Sequence, residues 1–400
     1  MRQRGQERRA ERDAASVVKQ CKKNKEEERI MAQKNAVQEE PMQEGSWEAA
    51  EEKHTAVAKC RACGADMIYD AESGELLCEH CGSRVAISAK TSEEQAFERL
   101  MQEGGGWEDS HVFRCENCGA QEILDKLEIA KQCPFCGATN IVETEELPKM
   151  RPNAIVPFRV GQKQAGAQVK TWVRKRLFAP QKFRKSAKPE KMKGVYMPAF
   201  SFDSATTSYY SGVLGKYYYV TKRVNGRTVQ ERRIRYYNVS GSYERFFDDV
   251  LIQASGTISQ QSLNKLQPFQ TNDSREYTKE YLSGYTATQN TKDGLACWEE
   301  AKTTIDSRIR SEILSKYNCD TVSYLNVSTQ YLNITYKYIL LPVYVGHCKW
   351  RQKLYNFFVN GLSGKVTGKA PVSPVKVAVT VVVGIGVLIG LYFLWRTFGG

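Results

Sequence analysis

Eight cysteines constrain this chain more than any other feature. Cys60, Cys63, Cys78 and Cys81 recur as Cys115, Cys118, Cys133 and Cys136, each displaced by 55 residues, and a constant displacement of a whole unit marks an internal repeat. Each unit reads C-x2-C, 14 intervening residues, then C-x2-C. That spacing suits a four-thiolate structural zinc site carried on two short hairpin turns. A glycine follows every pair, at Gly64, Gly82, Gly119 and Gly137. Glycine reaches the left-handed backbone conformation at little steric cost, which lets the chain fold back and aim two sulfurs at one metal.

Disulfides and redox-active C-x2-C pairs are the competing uses of these residues. No secretory leader is legible ahead of the repeat, and a redox pair needs neither a partner pair at fixed distance nor a duplicate of the whole unit. Two zinc ions are therefore expected. Four protein ligands leave no open position for water, so the ions are structural rather than catalytic. His80 and Pro134-Phe135 fall inside the turns, and His80 is read as a non-ligand. The two units resemble the zinc ribbons first described in general transcription factor IIB.

The 400-residue chain has room for two or three domains, and its net charge of +13 suggests an anionic partner. The arrangement matters more than the average. Basic and acidic residues number 12 each over residues 1–56, 9 against 18 over 57–150, and 35 against 15 over 151–370. The positive charge belongs to the middle of the chain. Ribbons with twice as many acids as bases are ill suited to neutralising phosphates, which points them toward a protein rather than nucleic acid. Eight cysteines committed to zinc imply a reducing compartment. Cys21, Cys297, Cys319 and Cys348 lack ligand spacing and read as ordinary thiols.

In chain order, residues 1–56 are charged and poor in large apolar side chains, so a helical or disordered solvated arm is expected. Met31 and Met42 leave open a start further downstream. The first ribbon covers 57–90 and the second 107–150. Between them, 91–106 reads as a linker with a short helix over 91–103, opened by a Thr/Ser cap and early acids and closed by Gly104-Gly105-Gly106. A basic α+β domain follows over 151–370. Its first helix is expected over 166–178, where Val169, Trp172, Val173 and Leu177 keep helical spacing among Lys170, Arg174, Lys175 and Arg176.

Asn225-Gly226 between runs of β-formers predicts a two-residue hairpin, which pairs Tyr217 with Ile234, Tyr218 with Arg233 and Tyr219 with Arg232. Tyr–Arg stacking across the strands is expected. The tyrosines at 209–210, 217–219 and 236–237 are read as sheet packing in preference to base stacking. Trp298, Ala301, Ile305, Ile309 and Ile313 predict an amphipathic core helix over 293–317. Strands are expected at 321–327, 331–341 and 353–359, with a final arm at 365–367 after the turn at 360–364.

Residues 377–395 are 19 residues without a charge. As a helix they span roughly 28 Å, enough for a bilayer core. Tyr392 and Trp395 lie where an interfacial aromatic belt belongs, and Gly386 and Gly390 form a weak helix-pairing pattern. Lys365, Lys369 and Lys376 precede the run and only Arg396 follows it, so a single-pass cell-membrane protein with its N-terminal bulk in the cytoplasm is expected.

The order of these features resembles a family of bacterial membrane-anchored zinc-ribbon proteins. The matching stretches are Leu341-Pro342-Val343-Tyr344, Val359-Asn360-Gly361-Leu362-Ser363-Gly364-Lys365-Val366, Pro371-Val372-Ser373, Tyr196-Met197-Pro198-Ala199-Phe200 and Leu282-Ser283-Gly284-Tyr285. The resemblance covers about residues 57–395 and implies topology and zinc binding without an activity. Such proteins are often labelled relatives of the primosomal replication-restart helicase. This chain has no G-x4-G-K-[ST], and Gly361-Leu362-Ser363-Gly364-Lys365 has the wrong spacing for a phosphate cradle, so the helicase label is rejected. G-x-S-x-G and H-E-x-x-H are also absent, and the four histidines are scattered.

The resulting expectation is an α+β protein: two small zinc ribbons, a mixed β-rich domain with packed helices, and one C-terminal transmembrane helix. It is expected to act without catalysis, as a protein-binding adaptor or scaffold at the membrane. A membrane-tethered nucleic-acid binder and an enzyme with an unrecognised site are the alternatives. Tethering brings the basic domain within reach of anionic lipids, with Arg174, Lys175, Arg176, Lys182, Arg184 and Lys185 as the expected contacts.

Overall fold

The computed structural model describes residues 58–101, 110–125, 133–139, 141–144, 150–186, 192–224, 227–350 and 353–398. The arm expected over 1–56, the glycines at 104–106 and the Asn225-Gly226 turn lie outside the described residues.

The first ribbon is a three-stranded antiparallel sheet of β1 (Met67–Asp70), β2 (Glu75–Cys78) and β3 (Arg84–Ala86). Short β4 (Gln95–Ala96) and α1 (Phe97–Leu100) follow. The linker helix is thus four residues long instead of the expected span over 91–103. Tertiary hydrogen bonds hold its first part extended: Ser92 Oγ pairs with Ser274 Oγ at 2.5 Å, and Glu94 accepts from Thr335 Oγ1 at 2.6 Å and Lys337 Nζ at 3.2 Å. Those bonds outcompete the local cap.

In the second ribbon β5 (Ser110–Cys115) pairs with β6 (Gln121–Asp125) and β7 (Ile141–Thr144). Next come β8 (Ala154–Ile155), α2 (Gln162–Arg174) and α3 (Gln181–Ser186). Helix α2 buries Ala165, Val169 and Val173 as its periodicity requires, but ends four residues short of Phe178 and leaves Leu177 outside it.

Two very long strands, β9 (Lys193–Val224) and β10 (Arg227–Gln253), form a hairpin. Its register pairs Arg227 with Val224, Arg232 with Tyr219, Arg233 with Tyr218 and Ile234 with Tyr217, as the Asn-Gly turn predicts. The expected stacking is diagonal instead of directly across: Arg232 lies 4.4 Å over the Tyr217 ring and Arg235 5.5 Å over Tyr218. These are diagonal neighbours on one face, farther apart than directly opposed residues but within reach of a long guanidinium.

Helix α4 (Gln260–Leu266), β11 (Arg275–Glu276) and β12 (Thr286–Thr288) lead to the amphipathic α5 (Gly294–Ser315). Asp293 caps α5, its Oδ1 accepting from Ala296 N at 2.7 Å, and Trp298, Ala301, Ile305, Ile309 and Ile313 are buried against the sheet. Strand β13 (Thr321–Trp350) fuses the two strands expected at 321–327 and 331–341. The polar residues between them do not break it, because Ser328, Thr329 and Gln330 stay in register with Tyr209, Ser208 and Thr207; the register shifts only further on, between Leu332 and Thr335, where Asn333 has φ 50°, and earlier, between Val322 and Tyr324. Strands β14 (Lys353–Asn360) and β15 (Val366–Gly368) complete the sheet, and α6 (Pro374–Phe398) closes the chain.

Strand β9 is the spine. It pairs antiparallel with β10 and β13 and parallel with β12, and β12 pairs with β6, so the second ribbon is hydrogen-bonded into the main sheet. Near its start β9 is covered on both faces. Val195, Met197 and Ala199 pack with α4 and the second ribbon, whereas Tyr196 packs with the first ribbon and α2, and Phe200 and Phe202 pack with α5. Successive side chains on a strand point to opposite faces, so one spine serves three clusters. Further along, α5 covers only one face. Tyr210 and Leu214 point into it and are buried, while Tyr209, Tyr236, Phe246, Tyr324 and Leu332 on the opposite face are exposed. The tyrosine clusters are therefore only partly sheet packing.

Candidate metal centres

Each C-x2-C turn is built the same way. Gly64 N–H donates to Cys60 O at 2.8 Å and Cys60 N–H to Ala65 O at 2.8 Å. Gly82 with Cys78, Gly119 with Cys115 and Gly137 with Cys133 repeat the first bond at 2.8–2.9 Å. The four glycines have φ of 74°, 76°, 74° and 73°, the left-handed conformation that the sequence requires of them. The turns aim the sulfurs inward in two sets, Cys60, Cys63, Cys78, Cys81 and Cys115, Cys118, Cys133, Cys136, and within each set all four lie inside 4.8 Å of one another. The closest pairs are 3.5 Å apart in the first set and 3.6 Å in the second. A disulfide needs about 2.05 Å, whereas a tetrahedron with Zn–S of about 2.3 Å has edges near 3.8 Å. The donor sets fit zinc, and His80 stands outside the first set. The first cysteine of each pair is buried; the second is exposed at Cys63, Cys81 and Cys118 and half-buried at Cys136.

The first ribbon is packed into the protein rather than appended to it. Tyr69 N–H donates to Ser283 O at 2.9 Å and Tyr69 OH to Phe158 O at 3.0 Å. The Tyr69 ring meets Tyr281 edge-on at 5.3 Å, and Phe158 stacks on Tyr285 at 4.3 Å. Burial pushes the Tyr69 hydroxyl above its usual range. A cavity of about 420 Å³ opens at this seam, lined by Tyr69, Gln162, Tyr285, Thr286 and Tyr344 among others.

The six basic residues expected at an anionic surface lie around one corner. Arg174 ends α2, Lys175 and Arg176 begin the following turn, and Lys182, Arg184 and Lys185 belong to α3. Arg176 lies 4.8 Å over the Trp172 ring, and Arg184 Nη2 donates to Arg174 O at 3.1 Å.

A third constellation had no sequence signal. Asp203 and Glu94, 109 positions apart, face each other closely enough to shift each other's ionisation, and Asp248 and Asp249 add two further carboxylates beside Asp203. Burial, reinforced by Glu94, raises the Asp203 carboxyl to about 7. Burial opposes ionisation of Glu94 too, but the hydrogen bonds from Asp203 and Thr335 and the charge of Lys337 outweigh it and hold Glu94 low. Asp203 Oδ1 also accepts from Asp249 N at 2.7 Å, at a bulge where Asp249 has φ 53°. The pairing of β13 with both β4 and β9 brings Glu94 to Asp203, and the pairing of β10 with β9 brings Asp248 and Asp249.

Of the remaining cysteines, Cys297 is a buried thiol, Cys348 is a buried thiol whose Sγ donates to Tyr355 O at 3.8 Å, Cys319 is half-buried, and Cys21 lies outside the described residues.

The chain is similar to a protein of Bacillus subtilis (strain 168) described as uncharacterized protein YdjG. The two are 27% identical over 344 residues, which take in 80% of this chain and 91% of that protein. No family model and no solved structure matches.

The last helix differs in kind from the others. Pro374–Phe393 is 20 residues long, strongly apolar and unburied, a helix long enough to span a membrane. A soluble core helix of this composition would be covered by protein.

Proposed function

We propose that this chain is a single-pass membrane protein, its N-terminal bulk on the cytoplasmic side, in which two structural zinc ribbons brace a long sheet that serves as an adaptor or scaffold for a protein partner. The observation that carries the reading is the bare face of the β10–β9–β13 sheet. The strand register puts Phe246, Leu332, Tyr209, Tyr324 and Tyr236 on one side, opposite the side that α5 covers. Tyrosine and phenylalanine supply large contact area at little conformational cost, and here they are spaced along a face whose intervening rows are Ser, Thr, Asn, Gln and Glu, which supply adaptable hydrogen bonding for a partner. The reading assigns the chain binding rather than catalysis.

The end of the hairpin favours a second reading. Residues 216–237 carry seven basic side chains and one acid, and Tyr218 and Tyr219 are exposed among them. Cations interleaved with aromatic rings suit single-stranded nucleic acid. Both readings are tested with a photo-crosslinking amino acid placed singly at Tyr324 and Tyr219 in the full chain in its native membrane. The adaptor reading expects an adduct at Tyr324 that protease degrades and nuclease leaves intact. A nuclease-sensitive adduct at Tyr219 with none at Tyr324 would replace it with the nucleic-acid reading.

A further inference from the structure

Leu177 and Phe178, in the turn between α2 and α3, are 71% and 42% exposed. The turn itself is held firmly. Ser373 N–H donates to Phe178 O at 2.8 Å, and Lys376 Nζ donates to Leu177 O at 3.1 Å and Ala179 O at 2.8 Å. Ser373 immediately precedes α6 and Lys376 lies in its first turn, so these bonds set Leu177 and Phe178 level with the start of the apolar helix. Behind them, Val173, Ala179 and Phe183 are buried in the core and fix the corner from the protein side.

The surroundings carry one sign of charge. Residues 151–186 contain ten basic side chains and no acid. Arg174, Lys175, Arg176, Lys182 and Lys185 are exposed around the two apolar side chains. A solvent-facing turn gains nothing from exposing a leucine and a phenylalanine side by side between five exposed cations. A turn at the level of a bilayer interface does: apolar side chains enter the acyl boundary while cations meet phosphates, the two signals that together make interfacial anchoring stable.

We propose that the α2–α3 turn is a second membrane contact, in which Leu177 and Phe178 enter the interface of the leaflet where α6 begins and the five exposed cations bind the phosphates of anionic lipids. This rests on the reading of α6 as a membrane span. Its consequence is orientation. A domain joined to a lone helix by a short connection swings freely, whereas two contacts fixed to each other by Ser373 and Lys376 hold the domain and its long sheet at one attitude to the bilayer. Arg184, through its bond to the Arg174 carbonyl, is a positioning residue for this corner.

The test uses the full-length chain in nanodiscs of mixed phosphatidylglycerol and phosphatidylcholine, with benzoylphenylalanine placed singly at Phe178, at Val383 in the middle of α6, and at Ser307 on the solvent side of α5. After illumination, mass spectrometry is expected to find lipid adducts at Phe178 and Val383 and none at Ser307. The Phe178 adduct should fall roughly ten-fold in phosphatidylcholine alone, or when all five exposed cations are changed to glutamine. Lipid at Val383 with none at Phe178, or a protein adduct at Phe178, overturns the second contact while leaving the span intact. Equal adduct at Phe178 in neutral and anionic bilayers overturns the phosphate part. Absence of lipid at Val383 removes the span and this proposal with it.

Discussion

Replacing Asp203 by asparagine should make the protein less sensitive to pH and more stable above neutrality. The carboxyl is buried, 5% exposed, and raised from 3.8 to about 7 by burial and by the neighbouring Glu94. In the unfolded chain it ionises with its ordinary value. Between the two values folding takes up a proton, so stability falls as pH rises and is flat again above about pH 7. From pH 5.5 to 7 that is about one and a half tenfold steps at 1.36 kcal/mol each, roughly 2 kcal/mol. Glu94, held low, acts in the opposite sense below its ordinary value and is already ionised across this window. The asparagine side chain would keep the acceptor for Asp249 N and offer Glu94 a permanent donor. The assay is urea unfolding of the full chain in detergent, followed by tryptophan fluorescence, at about pH 5.5 and about pH 7.5, on either side of most of that loss. Trp298 packs 5.3 Å from Phe202 in the adjoining core and reports on this region. The difference between the Asp203→Asn variant and the unmodified chain should grow in favour of the variant by about 2 kcal/mol across the interval. A difference that does not change with pH would show that Asp203 is ionised in the fold and would refute the argument.

Three further outcomes are expected. Freshly purified, reduced full chain should hold about two zinc ions by elemental analysis, and Cys78→Ser or Cys133→Ser should each remove about one, because a closed four-thiolate site does not survive loss of a ligand; metal near zero in the unmodified chain would sink the ribbon assignment. Ile305→Ala, at a fully buried position under the sheet, should lower stability by about 2–5 kcal/mol in denaturant titration, and a loss below about 1 kcal/mol would place α5 outside the core. A tag after Gly400 should be protected from protease in inverted vesicles, whose cytoplasmic face is outward, while the ribbons are digested; the reverse pattern would invert the proposed orientation.

Several readings that rest on one local rule coincide with the structure. The four glycine-terminated turns, the register around Asn225-Gly226, the Asp293 cap and the isoleucine stripe of α5 all depend on residues within a few positions of each other. The departures have a common form. The local signals predict a helix from Thr91, but Ser92 and Glu94 are claimed by Ser274 and Lys337, more than 180 residues away. Tyrosines that look alike in the sequence divide into the buried Tyr210 and the exposed Tyr209 because α5 covers one face of the sheet only.

By itself the sequence determined the two cysteine tetrads, the apolar terminal helix, the register of the hairpin around Asn225-Gly226 and the uneven distribution of charge, since spacing, periodicity and composition are properties of neighbouring residues. Tertiary structure alone decided that the ribbons are built into the main sheet and its core, that Glu94 is brought beside Asp203, and that Leu177, predicted to lie on a helix face, stands exposed beside the start of α6. Each of those depends on which distant segments the long strands bring together. A chain of alternating side chains says which residues share a face, but what covers that face is set by packing partners far away in the sequence.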